Sequence, residues 1–102
     1  MDKKQTFVGA TGNPYRNFGT ALLQHFTRDK GTQVLHWNLE DNDVFLVYRF
    51  YFKLIGHETL EKVLGFVNRY HGKIRMYSEE QSTVVEFKIM KQTIDGYNKG
   101  IR

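Results

Sequence analysis

The chain has 102 residues, 40% of them apolar and fifteen aromatic, with fifteen Lys and Arg against eleven Asp and Glu, a formal charge of +4 and no cysteine. That length supports one core and one α+β domain over residues 1–102, and the missing cysteines exclude disulfides and thiolate metal sites. No apolar run approaches the roughly 18 residues of a membrane span and the polar start MDKKQT is no signal peptide, so an intracellular protein with no membrane partner is expected; the basic balance permits nucleic-acid contact without requiring it.

Gln5–Ala10 (QTFVGA) suits a short leading strand or an ordered arm. Asn13-Pro14 then reads as a helix start, with a capping side chain followed by a proline whose missing N–H costs nothing at the first helical position. Phe18, Leu22 and Phe26 recur at four-residue spacing, with Ala21 and His25 beside them, and Gly31 is the expected terminator. Gly19 is costly in a helix interior, and close backbone packing would compensate.

Thr32–Leu39 alternates with Leu35, Trp37 and Leu39 inward, EDND marks a turn, and Val44–Leu54 returns antiparallel. On that returning strand Val44, Leu46, Tyr48, Phe50, Phe52 and Leu54 share the core face, because successive side chains alternate across a sheet. A second helix follows, with Leu60, Val63, Leu64 and Val67 at i, i+3, i+4 and i+7, Phe66 and Tyr70 flanking, Thr59 as a candidate cap and Gly72 at the stop. Lys73–Ser78 and Thr83–Lys91 form a second hairpin about EEQS, with Ile74, Met76, Val85, Phe87 and Ile89 inward. A short last helix fits Thr93–Asn98, weakened by Gly96 and Gly100. The expectation is a four-stranded antiparallel sheet with helices on one face, in the order α-ββ-α-ββ-α.

Parity assigns the other sheet face to Val34, His36 and Asn38; Phe45, Val47, Arg49, Tyr51 and Lys53; Lys73, Arg75 and Tyr77; and Val84, Glu86, Lys88 and Met90. Five cations (Arg49, Lys53, Lys73, Arg75 and Lys88) stand there against the single carboxylate of Glu86. Cations of this kind neutralise phosphates, and rings such as Tyr51 and Tyr77 stack on bases or pack on sugars. The same pattern also serves a protein-binding face, or a solvated face kept polar for solubility. The three valines on it call for a cover.

Other motifs are weaker. GATGN before a helix resembles a phosphate cradle, yet it lacks P-loop and GxGxxG spacing and reads as a turn. His57, Glu58 and Glu61 cluster at a helix start, where glutamates also suit the macrodipole, and His25, His36 and His71 share no ligand spacing with them. Glu40, Asp41 and Asp43 belong to turn chemistry. No metal, cofactor or nucleophile–base pair is assigned.

The element order, with RFYFKLIGHETLEKVLGFVNRYHGKIRMY as a strand, a His-containing turn, a Leu-Glu helix and a Gly-Lys-Ile strand, and STVVEFKI as a last strand, resembles one half of the LAGLIDADG homing endonucleases and their maturase relatives. The resemblance spans Tyr15 to Ile94. It implies that GTALLQHFTRDKG stands for the family's motif helix, whose terminal acidic residue beside glycine holds the cleavage metal. Asp29 stands near that place, but Lys30 precedes Gly31 where an acidic residue belongs, and a cation there opposes a divalent metal. The resemblance thus implies that cleavage is lost and binding to structured RNA or a DNA groove is retained, through Arg49, Lys53, Lys73, Arg75 and Lys88 with Tyr51 and Tyr77. It also implies a homodimer packed through the helix carrying Gly19 and Ala21. The competing readings are a small module docking a protein partner, such as a phage-type inhibitor or a subunit of a larger assembly, and an active metal-dependent nuclease using Asp29.

Overall fold

In the computed structural model residues 13–100 are described, with side chains described through residue 96; the expected leading strand at Gln5–Ala10 and most of GATGN lie outside them. The side-chain oxygen of Asn13 accepts the backbone N–H groups of Tyr15 and Arg16 at 3.0 and 3.2 Å, and Pro14 opens helix α1, Pro14–Thr27. The chain continues through strands β1 (Gln33–Asp41) and β2 (Phe45–Leu54), helix α2 (His57–Tyr70), strands β3 (Lys73–Glu79) and β4 (Ser82–Met90), and helix α3 (Lys91–Gly100). This is the α-ββ-α-ββ-α order of an α+β fold. The last helix is longer than its two glycines suggested. It begins directly after β4, with the Lys91 N–H donating to the Val44 carbonyl at 2.9 Å.

The four strands pair antiparallel in the order β1-β2-β4-β3. β2 and β4 are therefore central, and each carries the longest apolar alternation on the helix side. Leu46, Tyr48, Phe50, Phe52, Val85, Phe87 and Ile89 are buried there against Leu22 and Phe26 of α1, Val63 and Phe66 of α2, and Ile94 of α3. Phe26 is the hub, with ring centroids 5.4, 6.0 and 5.7 Å from Phe50, Phe52 and Phe87. Burial of side chains this large contributes roughly 1.5–3 kcal/mol each, so these contacts dominate the caps. Among the described residues no helix is long and apolar enough to cross a membrane.

Two parity assignments change. β1 carries register shifts between Gln33 and Val34 and between Val34 and His36, so Val34 pairs with the core-facing Phe52 and packs on the core. Leu35, expected inward, is 51% exposed. A bulge inserts a residue and reverses the alternation upstream of it. His36 and Asn38, beyond it, keep their expected open-face places opposite Tyr51 and Arg49. At the strand ends Val44 and Leu54 are exposed rather than buried, as is Met76 on the edge strand β3.

Helix α2 is also rotated from its sequence reading. Its buried side is Thr59, Val63 and Phe66, with Tyr70 packed on the core, while Leu60, Leu64 and Val67 are exposed. Both sets obey helical spacing, and the aromatic pair Phe66–Tyr70 wins the core because rings bury more surface than leucines. Thr59 caps a neighbour instead of its own helix: its hydroxyl donates to the Phe26 carbonyl at 2.9 Å, near the end of α1. The left-handed residue at the end of α2 is His71 (φ 56°), not Gly72, whose hydrogen in place of a Cβ admits the Lys88 carbonyl.

Candidate nucleic-acid interface

Strand register arranges the helix-free face in rows that cross all four strands. One row reads His36, Tyr51, Val84, Tyr77; the next reads Asn38, Arg49, Glu86, Arg75; the third reads Glu40, Val47, Lys88, Lys73. Phe45 and Met90 follow beyond the third row, and Lys53 lies beyond the first. The expected site residues Arg49, Tyr51, Lys53, Lys73, Arg75, Tyr77 and Lys88 thus share one face, but they are not equivalent.

In the first row His36 stacks on Tyr51 with centroids 4.1 Å apart and planes at 15°. Val84 is fully buried between Tyr51 and Tyr77 in register, so the cover that the open-face valines require is supplied by the face itself. In the second row the Arg49 guanidinium donates through Nε to Glu86 and through a terminal nitrogen to Glu40, both at 2.8 Å. Tyr77 donates its hydroxyl to the same Glu86 oxygen at 3.1 Å, and Arg75 stands 3.6 Å from the other oxygen. Burial alone would raise the Glu86 pKa; Arg49, Tyr77 and Arg75 outweigh it and hold the carboxyl below its ordinary value. Arg49 is held protonated, chiefly by its hydrogen bonds to Glu86 and Glu40. Arg49 is the fastener of this face.

The remaining cations are open to solvent. The Arg75 side chain is 72% exposed and lies 4.9 Å over the Tyr77 ring. Lys88 sits 4.1 Å from the Phe45 centroid and directly opposite Lys73, a like-charge cross-strand pair. Like charges so placed repel one another. Among the described residues Lys53, Lys73 and Lys88 make no ion pair. The face is less uniformly basic than parity predicted. β1 runs on through Asp41, which moves Glu40 out of the turn and onto this face, and Glu79 joins it at the end of β3. Five cations therefore meet three carboxylates.

Charge divides along the strands. Lys73, Arg75 and Lys88 adjoin one another on β3 and β4, whereas Lys53 lies at the opposite end beside the 79–82 turn. At that end Leu35 and His36 of β1 and Glu79–Ser82 line a single hollow of about 1170 Å³ with Tyr51. A second hollow, about 650 Å³, lies between α1 and α2 over Phe18, Leu22 and Phe66, with Lys62 and Arg69 on its rim. The sequence reading did not reach it; the signal was the set of small residues Ala21 and Gly65 on the facing helices.

The weaker motifs resolve into structure. Asp29 is nearly buried and accepts the Gly31 N–H at 2.9 Å and the Thr59 N–H at 3.0 Å. These two hydrogen bonds, Gly31 first, lower its pKa against the opposing pull of burial. Asp29 is thereby an N-terminal cap for α2, whose own cap position, Gly56, has no side chain to offer. His57 and Glu61 form an exposed pair at 3.2 Å, and Asp41 pairs with Lys91 at 2.6 Å. Among the described residues no group of three His, Cys, Asp or Glu side chains is placed to hold a metal. Gly19 is buried under the sheet's own Trp37 and Tyr48, so its smallness serves packing within the chain, while Ala21 is exposed. No family model matches the chain, and no curated protein or solved structure matches it either.

Proposed function

We propose that the protein is a non-catalytic nucleic-acid-binding protein that receives a structured RNA or a DNA groove on the open face of its sheet. The observation that carries this reading is the adjoining group Lys88, Lys73 and Arg75, in which two lysines face each other across a strand pair with no ion-paired carboxylate. A phosphate placed between them relieves that repulsion and releases counterions. Arg75 on Tyr77, and the Tyr51–His36 stack, add flat surfaces for sugars or unpaired bases. The element order is in keeping with the LAGLIDADG resemblance. The use of Asp29 as a cap, together with Lys30 beside it, favours binding without cleavage.

The test is a titration of labelled RNA hairpin and DNA duplex at about 50 and 200 mM salt. Affinity should fall steeply with salt, and Arg75→Ala and Lys88→Ala should each reduce the salt slope by about one. Absence of binding at the lower salt, or binding unchanged by Arg75→Glu with Lys88→Glu, overturns the proposal. The second reading, a protein-docking module, is favoured by the exposed apolar flank of α2.

A further inference from the structure

The two edges of the sheet are built differently. β1 is blunted by the bulge at Val34–His36, which interrupts a regular ladder. β3 pairs with β4 over all seven of its residues without a shift, so its outer edge is an uninterrupted ladder that no other strand pairs among the described residues. Above that edge α2 turns Leu60, Leu64 and Val67 to solvent, on the flank away from the one that meets α1. Leu64 is 62% exposed, and Met76, on the helix side of β3 itself, is 43% exposed. Apolar side chains this large, grouped beside an unpaired strand edge, mark a surface built to be covered.

The β3 sequence says by what. In KIRMYSE, an antiparallel two-fold placed on Met76 sets Lys73 against Glu79, Ile74 against Ser78 and Arg75 against Tyr77, each twice, with Met76 against itself. Every open-face pair across that seam is complementary, cation to carboxylate or cation to ring. Moving the two-fold to Arg75 sets arginine against arginine. Moving it to Tyr77 shortens the ladder and runs it into Glu80, whose φ of 54° belongs to the turn. We infer that the occupant is a second copy of this chain, joined β3 to β3 about Met76. The result is an eight-stranded sheet with the α2 flanks of the two copies side by side on its helix face. An isologous contact needs a self-complementary surface, and β3 is one. The inference stands apart from nucleic-acid binding. The joined sheet would still present Lys88 and Arg75 from both copies on one open face.

The test is sedimentation equilibrium of the nucleic-acid-free protein over micromolar concentrations. The wild type should dimerise, and Lys73→Glu or Glu79→Lys alone should weaken the dimer by roughly tenfold, since each places two like-charge pairs in the seam. Lys73→Glu combined with Glu79→Lys should restore it to within about threefold, because the pairs are re-formed with sign reversed. Leu64→Glu should weaken it as well, while the dilute monomer keeps its circular dichroism. A wild type that stays monomeric overturns the inference. A dimer indifferent to both single charge reversals places the contact elsewhere, the α1 helix included, and overturns it too. Single variants that weaken the dimer without mutual rescue exclude the Met76 register and overturn it as stated.

Discussion

Gly56 lies so close to the carboxylate of Asp29 that a Cβ at position 56 would collide with it. The cap of α2 is thus supplied from the end of α1, thirty residues upstream of the N–H it receives at Thr59. Thr32 completes the junction, accepting the Gly56 N–H at 2.8 Å and donating its hydroxyl to Thr59 at 2.6 Å.

Asp29→Ala should therefore lower the melting temperature by roughly 5 °C, the effect of losing a cap in a domain of this size. Its pH dependence has a definite sign. The folded carboxyl titrates below its unfolded value because Gly31 and Thr59 hydrogen-bond its charged form. Its stabilisation is thus fully present above the unfolded pKa of about 4 and is lost as pH falls through the folded pKa. Melting curves of wild type and Asp29→Asn should differ at neutral pH and converge in acid. A constant difference down to the most acidic point would remove the charged cap from the account.

Arg49 and Arg75 should separate stability from binding. Arg49→Ala leaves Glu86 and Glu40 without their shared partner, and Glu86 is only 15% exposed, so a loss of about 1 kcal/mol is expected. Arg75→Ala removes a weaker contact at 3.6 Å from a mostly exposed side chain and should leave stability within about 0.5 kcal/mol. Urea denaturation reads the first difference, and salt-dependent titration with RNA reads the second. Equal destabilisation by both variants would contradict the division of labour on this face.

The rotation of α2 makes a third comparison. Val63→Ala should cost about 2 kcal/mol by opening a cavity beneath the helix, whereas Leu64→Ala should stay within about 0.5 kcal/mol when measured in dilute solution. The reverse ranking would restore the Leu60–Leu64 stripe to the core.

That comparison marks where the sequence was legible and where it was not. The strands β2 and β4 declared themselves, because apolar residues recur at every second position on the helix side (Leu46, Tyr48, Phe50 and Phe52; Val85, Phe87 and Ile89), and the open-face positions of Arg49, Tyr51, Lys53 and Lys88 followed from it, as those of Lys73, Arg75 and Tyr77 did from the shorter alternation of β3. α2 presented two adjacent apolar stripes, and only the sheet beneath could decide between them. The bulge at Val34–His36 left no mark in composition. Glu40 was hidden by its neighbours: in EDND it reads as turn, yet one more residue of β1 pairing carries it to Arg49. Tertiary hydrogen bonds, such as Thr59 to Phe26 and Asp29 to Thr59, join residues thirty or more apart and have no local signature.

The helix glycines supply the last prediction, because two of them should respond to alanine with opposite signs. A Cβ at Gly19 would enter the Trp37 ring and press on Tyr48, both fixed by the core above them. Overpacking of this kind costs about 1–3 kcal/mol, more than the roughly 1 kcal/mol that alanine gains over glycine in a helix. Gly65, by contrast, sits in the exposed middle of α2, and a Cβ there would meet nothing within 4 Å. Gly65→Ala should therefore raise stability by close to the full helix gain of about 1 kcal/mol, or roughly 5 °C in melting temperature. Measured side by side, Gly19→Ala should melt below the wild type and Gly65→Ala above it. If Gly19→Ala also melts higher, α1 does not rest on Trp37, and the seating of that helix on β1 is wrong.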